Sequence, residues 1–369
     1  MINKRRLIGT FKKLVRTDSL SLKEGKVVGF LQKELRALRL RYYEAGRVRG
    51  GEVGNLIVEI PGREIKKPRI LLNAHLDTVS PGKKIKPIER RGYITSTGMT
   101  VLGADNKAGV AVILEILRIL KEKKLPHPPI RVIFTVAEEI GLLGAKALPE
   151  RLFLADFGIT LDGGDVDAII YKAPSQYNLV ATVFGRAAHA GIHPEEGINA
   201  IKVASIAISK MKLGRIDKET TSNIGLIKGG KATNIIPDEV ELKGEARSHN
   251  FKKLKRQVEH MEKILLNTSS KFKARLKLKV EQVYRSFEIK KGERILRLAM
   301  AAAKKTGLKP VLKQTGGGSD ANIFNAAGIP TVIMGVGADR VHTTSERIAI
   351  QDMIMGAESI LNLLEVASS

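Results

Sequence analysis

Short apolar runs that alternate with helix-patterned segments constrain the fold of this chain more than any other feature. Residues 69–77 and 130–137 have the pattern of buried strands, and the chain between them repeats apolar residues at helical spacing from about Asn106 to Leu120. Such alternation is typical of a mostly parallel sheet with helices on both faces. We therefore predict an α/β fold for the larger part of the chain.

The pattern changes near Pro174, where six elements follow in the order β-α-β-β-α-β, the order of the ferredoxin-like split unit. The predicted elements are a strand over 177–184, a helix over 198–212, strands over 221–227 and 239–248, a helix over 251–266 and a strand over 274–284. We therefore predict that residues 1–174 and 286–369 form one domain, into which residues 175–285 are inserted as an α+β domain.

The larger predicted domain holds the remaining elements. Two domains suit a chain of 369 residues, which is long enough to bury a large core. The remaining predictions are helix, loop and helix over 1–44, a strand over 55–60, a short edge strand over 92–96, helices over 293–306, 319–327 and 350–364, and a parallel strand over 331–336.

Carboxylate and imidazole side chains close five of the apolar runs. These five residues are His75, Asp105, Glu139, Asp162 and His342. Four of them follow a predicted strand, and Asp105 opens a predicted helix. Because ligands of open α/β sheets bind at the carboxyl ends of the strands, all five can converge on one edge. Their ligand types are those of a paired divalent-metal site.

Two further carboxylates accompany this set. Asp77 is two residues from His75, so in an extended segment the two side chains point the same way and Asp77 can orient the imidazole. Glu138 and Glu139 end a buried strand side by side, which is costly without cations. With a metal present, one can ligate while the other accepts a proton from bound water. Simpler interpretations remain open: a strand-end polar pair, a helix cap at Asp105, and solvated loop residues.

The composition narrows the function classes. The chain has no cysteine, which excludes a thiolate site, and its His, Asp and Glu candidates favour zinc, cobalt or manganese over a metal held by sulfur. No segment reaches the roughly 18 apolar residues of a membrane span, and we expect a cytoplasmic protein without a membrane partner. A net charge of +25 suits nucleic-acid binding, but the basic residues are spread along the chain and aromatic residues make up only 4%. A Lys-rich surface explains the charge more simply, so we expect no specific nucleic-acid partner.

Four sequence blocks resemble peptidase T, a family of the co-catalytic zinc superfamily that also contains aminoacylases and glutamate carboxypeptidases. The blocks are NAHLDTV, GADNKAG, TVAEEIG and GGSDAN, which begin at Asn73, Gly103, Thr135 and Gly317. They occur in the family's order over nearly the whole chain. One departure is Asn106, where relatives often have a second aspartate.

The resemblance implies two Zn²⁺ ions, with Co²⁺ or Mn²⁺ as substitutes. It assigns roles to the five candidate ligands: His75 and Asp162 on one zinc, Glu139 and His342 on the other, and Asp105 as the bridge. It further implies that Glu138 is the general base, that Asp77 orients His75, and that the peptide bond after Asp105 is cis.

The inserted domain carries its own part of the resemblance and is implied to be a lid and dimerisation domain. The segment around His189 resembles the lid segment whose histidine stabilises the oxyanion, in dimeric relatives from the partner subunit. Arg247 resembles the arginine that holds the substrate carboxylate, which suits a bidentate guanidinium. Asn234 is a weaker candidate for substrate contact.

The resemblance, together with these residues, implies a di-zinc exopeptidase that acts on short peptides like a tripeptide aminopeptidase, as a homodimer. An N-acyl-amino acid deacylase, a dipeptidase or a carboxypeptidase of the same superfamily is the alternative, since the metal-site motifs do not separate these activities. A remote alternative is a non-catalytic, basic protein associated with nucleic acid, which would be expected to lack metal ligands.

Overall fold

A computed structural model describes residues 1–368; Ser369, the last residue of the predicted larger domain, lies outside the described residues. The described chain forms two compact units. The smaller unit consists of Ala173–Phe287 and Thr315–Gly318, and the larger one of Met1–Lys172, Glu288–Gln314 and residues 319–368. The smaller unit thus includes a short glycine-rich segment outside the predicted range 175–285.

Residues 1–368 form nine α-helices and eighteen β-strands. The helices are α1 (Lys4–Arg16), α2 (Gly25–Ala37), α3 (Ala104–Lys123), α4 (Leu143–Lys146), α5 (Ala200–Lys210), α6 (Phe251–Lys271), α7 (Arg294–Lys305), α8 (Asp320–Ala326) and α9 (Ile350–Ser368). The strands are β1 (Arg41–Ala45), β2 (Asn55–Ile60), β3 (Ile70–His75), β4 (Ile88–Arg90), β5 (Tyr93–Thr95), β6 (Ile130–Thr135), β7 (Phe157–Leu161), β8 (Ala168–Ala173), β9 (Ser175–Phe184), β10 (Gly214–Arg215), β11 (Thr220–Gly229), β12 (Glu239–Ser248), β13 (Arg275–Tyr284), β14 (Phe287–Glu288), β15 (Val311–Gln314), β16 (Thr331–Met334), β17 (Ala338–Asp339) and β18 (Arg347–Ala349). Single 3-10 turns cover Glu150–Leu152 and Pro194–Glu196.

The larger unit is built on a sheet with the strand order β1-β2-β6-β3-β7-β16-β8-β14, and β15 pairs with β8. Its central strands β6, β3, β7 and β16 are parallel to one another, whereas the pairs β1–β2, β2–β6 and β16–β8 are antiparallel. Every residue of β3, β6 and β7 is buried, which requires cover on both faces. The predicted α/β fold with a mostly parallel, helix-flanked central sheet is confirmed.

Helix α3 is the central helix of the larger unit. It packs on β3 and against α1 and α9, and it is buried over nearly all of Ala104–Leu120. Helix α1 begins at the N-cap Asn3, whose side chain accepts a hydrogen bond from Arg6 N–H, and it buries the stripe Leu7, Phe11 and Leu14. The first turn of α3 therefore lies at the edge of a well-packed core.

A second, antiparallel sheet of the larger unit has the order β17-β18-β5-β4. Strand β18 pairs with β5 through Arg347↔Thr95, Ile348↔Ile94 and Ala349↔Tyr93. The loop between β17 and β18 contains His342. This sheet therefore fixes both ends of the loop that carries one of the predicted metal ligands.

The smaller unit has one antiparallel sheet with the order β10-β11-β12-β9-β13. Without the two-residue strand β10, this is the strand order of the ferredoxin-like split unit. Helices α5 and α6 pack on the sheet over a core that includes Leu179, Val203 and Leu254. The predicted α+β fold of the inserted segment is confirmed.

The sequence-based predictions are wrong or incomplete at several strands. The helix predicted to extend to residue 44 is wrong over residues 41–44, which belong to β1, a strand of exposed and intermediate residues with no buried one. Strands β8 and β15 were not predicted. No helix within residues 1–368 is long and apolar enough to span a membrane.

Candidate metal centre

The ends of strands β3 and β6 and the start of helix α3 bring three of the predicted ligands together. One ligand atom from each of His75, Asp105 and Glu139 lies within 4.8 Å of the others. His75 is the last residue of β3, and Glu139 follows β6, the parallel neighbour of β3. The carboxyl ends of adjacent parallel strands share one edge, so the register of the sheet itself sets this meeting point.

His75 is buried and faces carboxylates on both of its ring nitrogens. Its Nε2 lies 3.0 Å from Asp105 Oδ1 and 3.9 Å from Asp162 Oδ1, and its Nδ1 lies 3.3 Å from Asp77 Oδ1. Burial alone would lower the pKa of His75, but its contacts with Asp105 and Asp77 raise it well above the ordinary value. Asp77 thus contacts the ring nitrogen opposite the one that faces Asp105 and Asp162.

The two carboxylate oxygens of Asp105 face two different imidazoles. Oδ1 lies 3.0 Å from His75 Nε2, and Oδ2 lies 3.4 Å from His342 Nε2. Asp105 and Asn106 have non-helical backbone angles inside the first turn of α3, and the bond between them is cis, as the resemblance implies. Burial would raise the pKa of Asp105, but the two histidines hold it below the ordinary range.

His342 reaches the centre from the β17–β18 loop with a half-exposed side chain. Its Nε2 lies 3.0 Å from Glu139 Oε2, and its backbone has the left-handed φ of 63°. Contacts with Asp105 and Glu139 raise the pKa of His342 to about 10. The fifth predicted ligand, Asp162, follows β7, the other parallel neighbour of β3, and burial next to Asp105 raises its pKa.

Glu138 is buried beside Glu139 in the turn that follows β6. Burial raises the pKa of Glu138 well above its ordinary range, and the charge of Asp162 adds to this effect. Side chains hold the backbone of this turn: the N–H groups of Glu138 and Glu139 donate to Asp77, at 3.0 and 3.1 Å. These hydrogen bonds fix the turn through its backbone, and neither of them uses the side chain of Glu138.

This donor set fits a pair of divalent cations. Two imidazoles and three carboxylates converge, of which one carboxylate presents separate oxygens to separate imidazoles. Nitrogen and oxygen donors without sulfur suit zinc, cobalt or manganese. Burial and neighbouring carboxylates raise the pKa values of Glu138 and Asp162, and a bound cation would oppose both effects.

The other predicted site residues lie in the smaller unit. His189 and Asn234 are exposed and adjacent in space: His189 forms a β-bridge with Ile235, and Ala190 N–H donates to the Asn234 carbonyl at 3.0 Å. The guanidinium of Arg247, on β12, pairs with Glu245 through Nε at 2.8 Å and Nη2 at 2.9 Å. Its Nη1 lies 3.4 Å from the Gly316 carbonyl oxygen.

Several buried polar residues that hold the centre were missed by sequence reasoning. Glu346 accepts the backbone N–H groups of the Asp105 segment, and Glu24 accepts that of Ala137. Lys107 is buried and donates to Ser19 Oγ, Thr78 Oγ1 and the Leu76 carbonyl. Only Lys107 had a usable signal, because a lysine inside an otherwise apolar helix needs buried acceptors.

Known proteins match the chain over its full length. A crystal structure of a tripeptidase from Staphylococcus aureus has a TM-score of 0.92 and 41% sequence identity, and the match covers 100% of this chain and 99% of that one. A crystal structure of the aminopeptidase PepT from Bacillus cereus has a TM-score of 0.87 and 41% identity, with 100% of both chains covered. The uncharacterised protein YqjE of Bacillus subtilis is 40% identical over 371 residues, which is 100% of each chain.

A family comparison adds to these matches. The sequence model described as Peptidase family M20/M25/M40 matches residues 71–366, a span that includes all five predicted metal ligands and the whole smaller unit. The resemblance to peptidase T that the four sequence blocks indicate is confirmed by the PepT match. The chain therefore belongs to peptidase family M20/M25/M40.

Proposed function

We propose that this protein is a di-zinc metallo-exopeptidase that cleaves short peptides in the manner of a tripeptide aminopeptidase. The two solved structures at 41% identity, named a tripeptidase and an aminopeptidase, support this substrate class. The observation that carries the two-metal part is the geometry of Asp105, whose two oxygens face two different imidazoles. A carboxylate so placed suits a bridge between two ions about 3.5–4 Å apart.

The proposed ligands divide into two sets around Asp105. His75 and Asp162 belong to one set, since His75 Nε2 is 3.9 Å from Asp162 Oδ1. Glu139 and His342 belong to the other, since they are 3.0 Å apart. Zinc ions held by these residues would polarise the scissile carbonyl and lower the pKa of water.

Glu138 is the proposed general base. It accepts a proton from the attacking water and delivers it to the amine of the leaving group. This role needs a carboxylate that is fixed in place but not itself a ligand. The backbone N–H groups of Glu138 and Glu139 both donate to Asp77, so the turn is held while the Glu138 side chain remains available.

The smaller unit supplies the proposed substrate contacts and acts as a lid and dimerisation domain. Arg247 binds the carboxylate of the substrate, which restricts the enzyme to short peptides. His189 stabilises the developing oxyanion, and Asn234 contributes a further polar contact. The side chain of His189 is exposed, which suits a residue that acts in the site of a neighbouring subunit.

The base assignment is tested by a pair of isosteric variants. Glu138→Gln should keep the zinc content of the wild type and lose turnover by about 10²–10⁴-fold, because only the proton acceptor is removed. Glu139→Gln, the matched control one residue away, should lower both the turnover and the zinc content, because it removes a proposed ligand. Full turnover in Glu138→Gln would overturn the assignment.

Substrate class is tested with metal-reconstituted protein and identification of the products. The panel contains tripeptides, dipeptides, C-terminally amidated tripeptides and N-acyl amino acids. We expect release of the N-terminal residue from tripeptides. Preferential cleavage of N-acyl amino acids, or release of the C-terminal residue, would replace the aminopeptidase assignment with a deacylase or a carboxypeptidase.

Action of His189 across a dimer is tested by subunit mixing. His189→Ala and Glu138→Gln should each be nearly inactive as homodimers. A mixed dimer has one site with an intact Glu138 and a partner that provides an intact His189, so activity should return after exchange. No recovery despite demonstrated exchange would place His189 in the site of its own subunit.

A further inference from the structure

Glu346 is a buried carboxylate that binds three backbone N–H groups of one segment. Its Oε2 accepts hydrogen bonds of 2.7 Å from Leu102 and 2.7 Å from Gly103, and its Oε1 accepts one of 3.0 Å from Asp105. The residue is 1% exposed. Both of its oxygens are thus used by the segment that carries the proposed bridging carboxylate.

This segment has an irregular backbone, which explains why it needs an external acceptor. Gly103 has a left-handed φ of 73°, and Asp105 has the extended angles φ −80° and ψ 101°. N–H groups in such a conformation cannot join a regular helix or sheet ladder, and leaving them buried and unpaired would be costly. Glu346 satisfies three of them at once.

Glu346 also belongs to the loop that carries His342. Its own N–H donates to the Thr343 carbonyl at 3.1 Å, and Thr343 Oγ1 donates to the Arg340 carbonyl at 2.8 Å. These bonds close the loop into a compact turn between β17 and β18. His342 and Glu346 therefore contact the Asp105 segment from one turn, the first through the Asp105 carboxylate and the second through the backbone.

A carboxylate is costly to bury, so its place here calls for a compensating role. Burial raises the pKa of Glu346, and the hydrogen bonds from Asp105, Gly103 and Leu102 oppose this rise. The buried Lys107, two residues after Asp105, donates to the Leu76 carbonyl between His75 and Asp77. Two buried charged side chains thus bind the backbone next to the proposed ligands: Lys107 that of the His75 segment, and Glu346 that of the Asp105 segment.

We infer that Glu346 is a positioning residue that locks the His342 loop to the Asp105 segment, so that the two proposed ligands are held at metal-binding distance before any metal arrives. This inference rests on the proposed function only in taking Asp105 and His342 as ligands. Residues next to a metal site that orient its ligands typically change metal affinity by about 10–100-fold when they are removed.

The test compares two buried carboxylates of the same unit. Glu346→Gln keeps the side-chain volume but turns an N–H₂ group toward at least one backbone donor. Glu115→Gln is the matched control: Glu115 is also buried, and it accepts the Asn3 N–H and the Arg6 guanidinium. Both variants should lower the melting temperature, so a loss of stability alone does not distinguish them.

Metal binding does distinguish them. We expect Glu346→Gln to lower the affinity for Zn²⁺ by about 10–100-fold in calorimetric titration and to change the visible spectrum of the Co²⁺ form, while Glu115→Gln retains the wild-type affinity and spectrum. Wild-type affinity and spectrum in Glu346→Gln, or an equal loss of affinity in Glu115→Gln, would overturn the inference. If Glu346→Gln does not fold, Glu346→Asp, which keeps the charge but shortens the reach, is measured against the same criteria.

A metal-free measurement separates this inference from the proposed function. In metal-free protein, Glu346→Gln should accelerate amide hydrogen exchange in residues 102–105 and in the 340–346 loop together, and Glu115→Gln should not. Absence of metal binding by the wild type would refute the proposed function without affecting this readout. Faster exchange confined to one of the two segments would refute the coupling.

Discussion

Asp77 Oδ1 accepts a hydrogen bond of 3.0 Å from the backbone N–H of Glu138. The same carboxylate accepts the Glu139 N–H through Oδ2 and lies 3.3 Å from His75 Nδ1. The two preceding N–H groups, of Val136 and Ala137, donate to side chains as well, namely to Asn55 and Glu24. Four consecutive N–H groups are thus bound by side chains, and Asp77 ties this turn to His75.

Asp77→Ala should weaken metal binding by about 10–100-fold, because it frees the His75 imidazole and releases the Glu138–Glu139 turn at once. The measurement is calorimetric titration of metal-free protein with Zn²⁺. Ser21→Ala is the control, since it removes only the 2.7 Å hydrogen bond from Ser21 Oγ to Asp77 Oδ2. An equal loss of affinity in both variants would mean that the packing around Asp77, and not its carboxylate, is responsible.

Metal binding should release protons, and more tightly bound metal is expected at higher pH. Contacts with Asp105 and Glu139 raise the pKa of His342 to about 10 in the metal-free protein, so the imidazole is protonated at pH 7. A ligand imidazole must be neutral, so binding displaces at least this proton and the affinity rises with pH between pH 6 and pH 8. Calorimetry in buffers of different ionisation enthalpy counts the protons.

His193→Asn provides the control for that count. His193 is an exposed histidine of the smaller unit, 3.5 Å from Glu195, and has no part in the proposed centre. The variant should release the same number of protons as the wild type. If the Zn²⁺ affinity of the wild type did not depend on pH, metal binding would not remove a proton from His342, and His342 would not be a ligand.

The strand-end ligands could be found from sequence because their positions follow from a regular element. His75, Glu139 and Asp162 each follow a buried apolar strand, and the carboxyl ends of parallel strands share an edge. Glu24 and Glu346 could not be found in this way. They act on N–H groups of irregular backbone, which leaves no period in the sequence, and each lies in a short polar loop.

The fold shows the same division between regular and irregular segments. The buried strands β3 and β6 and the helix α3 have long apolar patterns and were predicted, whereas β1 and β15 have no fully buried residue. Pairing with a neighbour in the sheet, not residue pattern, makes such edge segments strands.

Arg247→Lys should raise the KM for tripeptides by about 10-fold with little change in kcat, because a lysine cannot hold Glu245 and a substrate carboxylate in one planar fork. In the structure, Nε and Nη2 of Arg247 pair with Glu245, whereas Nη1 faces the Gly316 carbonyl oxygen. The check is steady-state kinetics with a tripeptide and its C-terminal amide.

Two comparisons sharpen this result. The amidated tripeptide should be insensitive to Arg247→Lys, since it has no carboxylate to lose. Arg275→Lys, in the same unit, replaces an arginine stacked 3.8 Å from the centre of the Phe184 ring and should leave both substrates unaffected. A KM increase of equal size for the amidated substrate would assign Arg247 a structural role instead.

Without metal, the ionised carboxylate of Asp162 should lower the free energy of unfolding of the protein. Burial and the charge of Asp105 raise the pKa of Asp162 in the metal-free protein, so its ionised form is less stable when folded than when unfolded. This destabilisation is absent well below the unfolded pKa of about 3.9, grows as the pH rises through the interval up to the raised folded pKa, and is complete above it.

Asp162→Asn removes this destabilisation, because asparagine carries no charge. In the presence of EDTA, we expect this variant to be more stable than the wild type at pH 8, by on the order of 1 kcal/mol, and to gain less at pH 5. Denaturant unfolding at both pH values provides the measurement.

Asp165→Asn is the control, because it breaks only an exposed ion pair with Lys313 and should change stability little. With Zn²⁺ added the order should reverse, since the wild type alone has the complete ligand set; a wild type that stays less stable than Asp162→Asn in excess zinc would mean that Asp162 does not bind metal.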